Sequence, residues 1–505
     1  MAQKTVHFET LGCRLNQDET EGAARSFLEE GFLTDLEPLT ARSPIQENVA
    51  LGVVNTCTVT GKAEQKARRI IRLLLEKCPN AVVIVTGCYA EVDPSSIKQI
   101  DEEKIAVLPG TKKYLLSSIA KNFSVNKNAE LKKITIGNVE DLIESFCKEI
   151  ESSKDESNTI NTQNKKSNLK LDAFTLYTPV FEKHSRASIK IEDGCNNSCA
   201  FCRIHLARGK AVSLSVPDVL KRVKLLENNG VNEVVFTGVN LSQYSGLKYD
   251  DPSRKEQASF AELLTTLLAE TKNIRFRISS FYPQYIDESF CNAIKDERVQ
   301  PSFHLSIQSG SDRILSLMNR PYTAEVVLNA IRMIRNAKGN PFIACDIIAG
   351  FPGETEEDFA LTKKMCEKAS FSWIHAFPFS PRPGTVAYNM KPSIPERVKG
   401  ERVAVLTDIA VKGKIAYINS FAGKKVTAIV ENSRSLRLSK NNPFEKKYIH
   451  AVTSNFIHVQ CEVSTLDIAN CKYKPGDVVD IVIQKALEEN IKSGAEIEAL
   501  ATVNC

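Results

Sequence analysis

At 505 residues the chain is too long for one ordinary hydrophobic core, so roughly two to four domains are expected. Its net charge of +5 is mild, permitting a polyanionic partner without requiring one. No run of about 18 apolar residues occurs and the opening Met1-Ala2-Gln3-Lys4-Thr5-Val6-His7 has no apolar leader core, so neither a membrane span nor secretion is expected, and the 14 cysteines point to a reducing cytoplasm and soft-metal chemistry rather than a disulfide framework.

Residues 1–125 read as alternating strands and helices. Strands are predicted over Thr5–Glu9, Val49–Asn55 and Ala81–Thr86, and helices from about Asp18 to Glu30 and from Lys62 to Lys77. This alternation implies a parallel sheet. Each strand runs into a cysteine: Cys13 after Leu11-Gly12, Cys57 after Thr56, and Cys88 after Gly87. The carboxyl ends of parallel strands share one edge, where ligands bind, so three thiols distant in sequence can converge there. Unrelated packing thiols are the alternative.

Residues 126–180 read as a partly low-complexity linker. The runs Ser152-Ser153-Lys154-Asp155-Glu156-Ser157-Asn158 and Asn161-Thr162-Gln163-Asn164-Lys165-Lys166 are polar, with little to bury.

From 181 to 412 the alternation resumes. Candidate strands are Ala187–Glu192, Glu233–Thr237, Ile274–Ser279, Phe303–Ile307, Phe342–Ile348 and Trp373–Phe379, with helices such as Val216–Asn228 and Phe260–Glu270 between them. About six β/α units make an incomplete TIM-like barrel, whose site belongs at the carboxyl ends of its strands. After the first strand comes Gly194-Cys195-Asn196-Asn197-Ser198-Cys199-Ala200-Phe201-Cys202, three thiols at C-x3-C-x2-C spacing. Three thiolates can hold an [Fe4S4] cluster with one iron left open; His205 could instead complete a zinc site. A third reading is packing thiols, against which stand the polar Asn196, Asn197 and Ser198. Thr237, Gly238, Asn240, Ser279 and Gln308 punctuate later strand ends with groups that admit or hydrogen-bond a ligand.

Residues 413–485 form a third unit. Strands over Lys425–Glu431, Tyr448–Thr453, Ile457–Val463 and Val478–Gln484, with a turn at Lys474-Pro475-Gly476-Asp477, predict a small β-barrel followed by a tail over 486–505. Lys424, Lys425, Arg434 and Arg437 make one section basic, as a solvated face or a phosphate-binding one. Cys78, Cys147, Cys291, Cys345, Cys366, Cys461, Cys471 and Cys505 match no motif and read as packing or surface thiols.

The Cys195 run, with Asp193-Gly194 before it and Ala207-Arg208-Gly209 after it, resembles the radical SAM methylthiotransferases. So do Thr10-Leu11-Gly12-Cys13-Arg14-Leu15-Asn16, Asn55-Thr56-Cys57-Thr58-Val59-Thr60, Thr86-Gly87-Cys88-Tyr89-Ala90-Glu91, Met318-Asn319-Arg320-Pro321-Tyr322-Thr323 and Phe379-Ser380-Pro381-Arg382-Pro383-Gly384-Thr385. The resemblance implies an α/β chain of three parts: a parallel-sheet N-terminal domain, a partial (β/α)6 radical SAM barrel and a C-terminal TRAM barrel that binds tRNA. It implies two [4Fe-4S] clusters. One, on Cys195, Cys199 and Cys202, would bind S-adenosyl-L-methionine, with Phe201 near the adenine and Thr237, Gly238, Asn240, Ser279 and Gln308 as further cofactor contacts. The other, on Cys13, Cys57 and Cys88, would carry the sulfur to be inserted. A monomer served by an electron donor such as flavodoxin or ferredoxin is implied as well.

Within the family the resemblance is to the branch that methylthiolates C2 of N6-threonylcarbamoyladenosine, next to the tRNA anticodon. Sibling branches act on isopentenyladenosine or a ribosomal-protein aspartate; a zinc-stabilised RNA-binding protein is the reading from another class. The threonylcarbamoyl group carries a carboxylate that a guanidinium can pair bidentately, and Arg68, Arg69 and Arg208 are the candidates. Lys66 lies beside the first two. Two positions depart from the family pattern: His205 stands where Pro is usual, and Tyr282 where Glu is usual.

Overall fold

The computed structural model describes residues 4–124, 134–155, 173–179, 185–251, 253–431, 447–463 and 473–503. In the N-terminal domain five parallel strands lie in the order β2-β1-β3-β4-β5, with β1 at Thr5–Thr10, β2 at Leu33–Asp35, β3 at Val49–Thr56, β4 at Val82–Gly87 and β5 at Ile105–Val107. The order reverses between β1 and β3. Helix α1 (Arg14–Glu29) therefore packs Ala23, Ala24 and Phe27 on one face, against Val6, Phe8, Leu51 and Val53. Helix α2 (Gly61–Lys77) packs Ala67, Ile71 and Leu74 on the other, against Val54, Val83 and Val85. Strands covered on both faces read as continuous apolar runs, as β4 does. The loops after β1 and β3 diverge at this reversal, the usual place for a ligand crevice.

Helix α1 begins four residues earlier than the sequence suggests. Asn16, in its first turn, donates to Leu11 O (2.7 Å) and Thr56 O (3.0 Å), tying the loop after β1 to the end of β3. The region expected to be linker contains a helix at Ile136–Asp155. Val139 and Ile143 are buried and Phe146 and Ile150 pack beside them, one helical face closing the α1 side of the sheet. The polar residues around Ser152 masked that spacing. Residues 156–172 lie outside the described residues.

The central domain has six parallel strands: Ala187–Lys190, Glu233–Thr237, Arg275–Ile278, Ser302–Gln308, Phe342–Ala349 and Trp373–Pro378. The third breaks at Ser279, and its continuation Ser280–Phe281 pairs with the fourth, so one strand joins two curved sheets. Among the described residues the first and sixth strands do not pair, which leaves the barrel open.

The C-terminal unit is a closed barrel of Lys425–Val430, Lys447–Thr453, His458–Val463, Ala499–Val503 and Val478–Ala486. The expected tail is thus partly a barrel strand. Ala499–Val503 pairs parallel with His458–Val463 and antiparallel with Val478–Ala486. Its small Ala499 and Ala501 point inward with Ile481, Ile483 and Cys461, a short weak pattern easily passed over in sequence. The barrel docks at the amino end of the central domain. Arg186 and Asn232, just ahead of the first two strands, reach Glu431 (3.0 Å) and Gly476 O (2.9 Å), and Arg277 donates to Thr453 O and Ser454 O.

Truncation after Leu487 should therefore open this barrel. The expected result is a lower melting temperature and new binding of a hydrophobic dye, measured by scanning fluorimetry; a melt identical to the full chain would contradict closure by the last strand.

Candidate active site at the domain junction

Both cysteine triads lie where the carboxyl edges of the two sheets meet. Cys13 caps α1 and Cys88 opens the short helix Cys88–Val92 directly after β4. The turn into that helix needs Gly87, whose φ is +93° and whose added Cβ would stand 2.4 Å from Thr56 O. Cys57 presses on Gly12, its Sγ 2.8 Å from where a Cβ on Gly12 would sit. The thiols of Cys13, Cys57 and Cys88 are electrostatic neighbours of one another, and burial pushes that of Cys57 up to about 11.

The second triad is held by loops from other barrel units. Ala200 N donates to Met318 O (3.0 Å), Ala387 N to Ala200 O (2.8 Å), and Asn319 Nδ2 to Ser198 O (2.9 Å). Gly194 has φ +85°, and a Cβ there would meet Lys210 O at 2.3 Å. Arg320 Nη1 donates to Cys199 Sγ (3.2 Å) and to the hydroxyl of Tyr282 (2.6 Å), while its Nε reaches the hydroxyl of Tyr322. Burial pushes Cys202 up to about 12. In the sequence, Arg320 and Tyr322 stand out only as part of a motif, and Tyr282 only as a departure from the family pattern. The structure makes the three one buried cluster that fixes Cys199.

The surroundings of this triad suit a polar cofactor. Asn240 Nδ2 and Oδ1, Ser279 Oγ and Glu192 Oε1 are buried without a close partner among the described residues, the Asn240 amide having only the Cys195 thiol beside it. Buried polar atoms are normally paired, so a group of orphans marks a ligand's place. Gly238 keeps backbone open beside Glu192, Gln308 holds φ +78°, and Phe201 packs in the small cluster around Ala200 and Phe351. Burial raises Glu192 to about 8, so it is largely protonated at neutral pH. Thr237 differs from expectation: its hydroxyl donates to Asp18 Oδ2 (2.8 Å) and serves the junction.

Among the described residues, the one group of three ligand-type side chains with all donor atoms within 4.8 Å is Glu431, His458 and Glu496. Neither cysteine triad is drawn that tight, with or without His205.

The junction itself is a buried polar network. Arg208 donates to Glu19 Oε1 (3.0 Å), Asp193 Oδ1 (2.7 Å) and Asn16 Oδ1 (2.8 Å). Lys190 reaches Glu19 (2.8 Å) and Asp193 (3.0 Å), and Lys113 reaches Glu19 (2.6 Å). Asp18 accepts from Ser188 Oγ (2.7 Å) as well as Thr237. Burial works to raise the Glu19 carboxyl, but Arg208, Lys113 and Lys190 outweigh it and hold the group well below its usual value. Arg208 is also a charge neighbour of Cys13, Cys57 and Cys88.

Arg208 is thus fully engaged and is corrected as a substrate-pairing candidate. Arg68 spends a donor on Tyr89 Oη (2.8 Å), and Arg69 lies on the exposed face of α2. Lys425 is exposed and pairs with Asp480 (2.8 Å), and Lys424 stands over the Phe421 ring. Arg434 and Arg437 lie outside the described residues.

The Radical SAM superfamily matches residues 189–366, and the family described as "Uncharacterized protein family UPF0004" matches residues 5–109. The chain is 44% identical to "Threonylcarbamoyladenosine tRNA methylthiotransferase MtaB" of Treponema pallidum (strain Nichols), over 86% of this chain and 93% of that one. It is 33% identical to the protein of the same name from Aquifex aeolicus (strain VF5), over 85% and 94%. A "tRNA-2-methylthio-N(6)-dimethylallyladenosine synthase" of Klebsiella pneumoniae is 28% identical over 98% and 94%. Among solved structures, the radical S-adenosylmethionine methyltransferase TsrM from Kitasatospora setae superposes over 77% of each chain at 13% identity and a TM-score of 0.47. The family and sequence matches define a radical SAM enzyme with an additional N-terminal domain. The chain belongs to the radical SAM tRNA methylthiotransferases, in the branch named threonylcarbamoyladenosine tRNA methylthiotransferase MtaB.

Arg208→Gln leaves Glu19 and Asp193 under-compensated, at a cost of about 3 kcal/mol, the low end for a broken buried pair because Lys113 and Lys190 still face Glu19. The folded-state values of Glu19 and Asp193 are depressed. Their stabilisation is therefore present above the ordinary carboxylate range of about 4 and lost as pH falls through the depressed values. Thermal melts across pH should show the variant melting lower at pH 7 and converging on wild type in acid; equal melting at pH 7 would contradict the network's role.

Proposed function

We propose that Cys195, Cys199 and Cys202 hold the [4Fe-4S] cluster that binds S-adenosyl-L-methionine, that Cys13, Cys57 and Cys88 hold the auxiliary cluster, and that the substrate is N6-threonylcarbamoyladenosine next to the anticodon of tRNA. The product is the 2-methylthio derivative. The observation that carries this reading is that two cysteine triads from separate sheets share one junction, beside buried polar atoms that lack partners. When bound, the first cluster and S-adenosyl-L-methionine supply a carbon-centred radical able to remove hydrogen from an unactivated C–H bond.

The chain's own residues bind, orient and exclude water. Ser279 offers an unpaired hydroxyl and Asn240, beside the Cys195 thiol, its amide to the polar ends of the cofactor, and Phe201 an apolar face to its adenine. Arg320, itself held by the Tyr282 and Tyr322 hydroxyls, donates directly to Cys199 and orients its thiol. Arg208 sets a permanent positive charge by the auxiliary thiols, countering the negative charge that thiolates gather there.

No described helix is long and apolar enough to cross a membrane. A cytoplasmic monomer fits a chain that carries both triads itself. A one-electron donor of the flavodoxin or ferredoxin class completes the system. The C-terminal barrel, with Lys424 and Lys425 on its surface, supports the tRNA-binding TRAM role.

Anaerobic assays of two variants test the division of labour. Cys199→Ala should abolish production of 5′-deoxyadenosine, because all three thiolates hold the first cluster. Cys57→Ala should keep some of it while losing methylthiolated RNA. Undiminished cleavage in the first variant, or normal product from the second, would overturn the assignment.

A further inference from the structure

Beside the two triads lies a pair of arginines with one carboxylate between them. Arg203 follows Cys202, and Arg382 stands in the loop after the sixth barrel strand. Both donate to Glu64 Oε1, in the first turn of α2; the Arg203 distance is 3.1 Å. Thr58, next to Cys57, donates to the same oxygen and lies 3.4 Å from Arg203 Nη1 and 3.2 Å from Arg382 Nη2. The side chains of Arg382, Arg203 and Glu64 are 5%, 11% and 14% exposed. The Nε of each arginine is buried with no partner.

Two guanidiniums meet at one carboxylate oxygen, and among the described residues no second carboxylate hydrogen-bonds either of them. Asp93 acts on Arg203 electrostatically without a hydrogen bond to it, its Oδ1 accepting from Ser95 and Ser96, and Tyr89 Oη accepts from Arg68. A buried cation without a full partner is costly, and spare donors at such a place call for an anion. The spot adjoins Cys57 on one side and Cys202 on the other, where the base to be modified has to enter.

We infer that Arg203 and Arg382 form a seat for the substrate's own carboxylate, held by Glu64 when no RNA is bound. The inference rests on the threonylcarbamoyl reading above. A carboxylate a few bonds from the modified ring enters with the base, which favours it over a backbone phosphate. It pairs with the guanidiniums that Glu64 engages at a single oxygen, and it occupies the free Nε donors.

The test uses the reconstituted full chain and anticodon stem-loop RNA carrying N6-threonylcarbamoyladenosine, its threonine carboxamide analogue, or isopentenyladenosine. Wild type should prefer the carboxylate RNA over the carboxamide by about tenfold in kcat/KM, the scale of one lost charge-assisted contact. In Arg203→Gln that ratio should collapse towards one, through a rise in KM, with the wild-type iron content. Arg203→Lys should retain part of it. Equal use of carboxylate and carboxamide RNA by wild type would overturn the seat alone. So would an unchanged ratio in Arg203→Gln with both RNAs falling together, the behaviour of a mere domain staple. Preference for the isopentenyl RNA would overturn the substrate reading itself.

Discussion

The ion cluster around Arg208 and Glu19 is what the rest of the arrangement depends on. Burying so many charges is unfavourable in itself, and here the balance needs both domains: Glu19 is paired by Lys190 and Arg208 from across the junction as well as by Lys113 from its own side. Glu19 is supplied by α1, directly downstream of Cys13. Arg208 and Asp193 flank the Cys195 loop. An ion cluster of this kind adds little net stability but tolerates one docking geometry. The two sheets are therefore set edge to edge, with their cysteine-bearing ends facing a common space.

Distances along the chain acquire meaning from that docking. Cys57 and Cys202 come near each other through Thr58, Glu64 and Arg203, side chains from two domains that share one carboxylate oxygen. The C-terminal barrel sits at the opposite, amino end of the central strands, through Arg186, Asn232 and Arg277. An RNA gripped there and modified at the junction has to run along the side of the central domain. On the proposed roles, the base would be reached by a nucleic acid held at some distance, and its recognition would rest on small, specific contacts at the junction.

Much of this was legible in the sequence. Strands ending in Gly-Cys or Thr-Cys announced the edge on which the first triad lies, and the C-x3-C-x2-C run announced the second. The charged docking network was not legible, because Asp18, Glu19, Lys113 and Lys190 look like ordinary polar positions until a second domain covers them. The helix at Ile136–Asp155 was hidden by polar neighbours although Val139, Ile143, Phe146 and Ile150 keep helical spacing. The last barrel strand was hidden by the small residues Ala499 and Ala501. Arg203 and Arg382 could be found as polar residues beside motif cysteines or in a motif loop, but their sharing of Glu64 is a fact of three dimensions. The hydroxyl of Thr237, at a strand end, looked available and is committed to Asp18, a pairing across domains that sequence does not show.

The central claim is that the two triads serve one reaction on one tRNA base, and nucleoside mass spectrometry of tRNA from cells with and without the gene tests it most directly. The account predicts that deletion removes 2-methylthio-N6-threonylcarbamoyladenosine, accumulates N6-threonylcarbamoyladenosine in its place and leaves the methylthiolated isopentenyl nucleoside unchanged. An unaltered level of the methylthiolated threonylcarbamoyl nucleoside after deletion would contradict it.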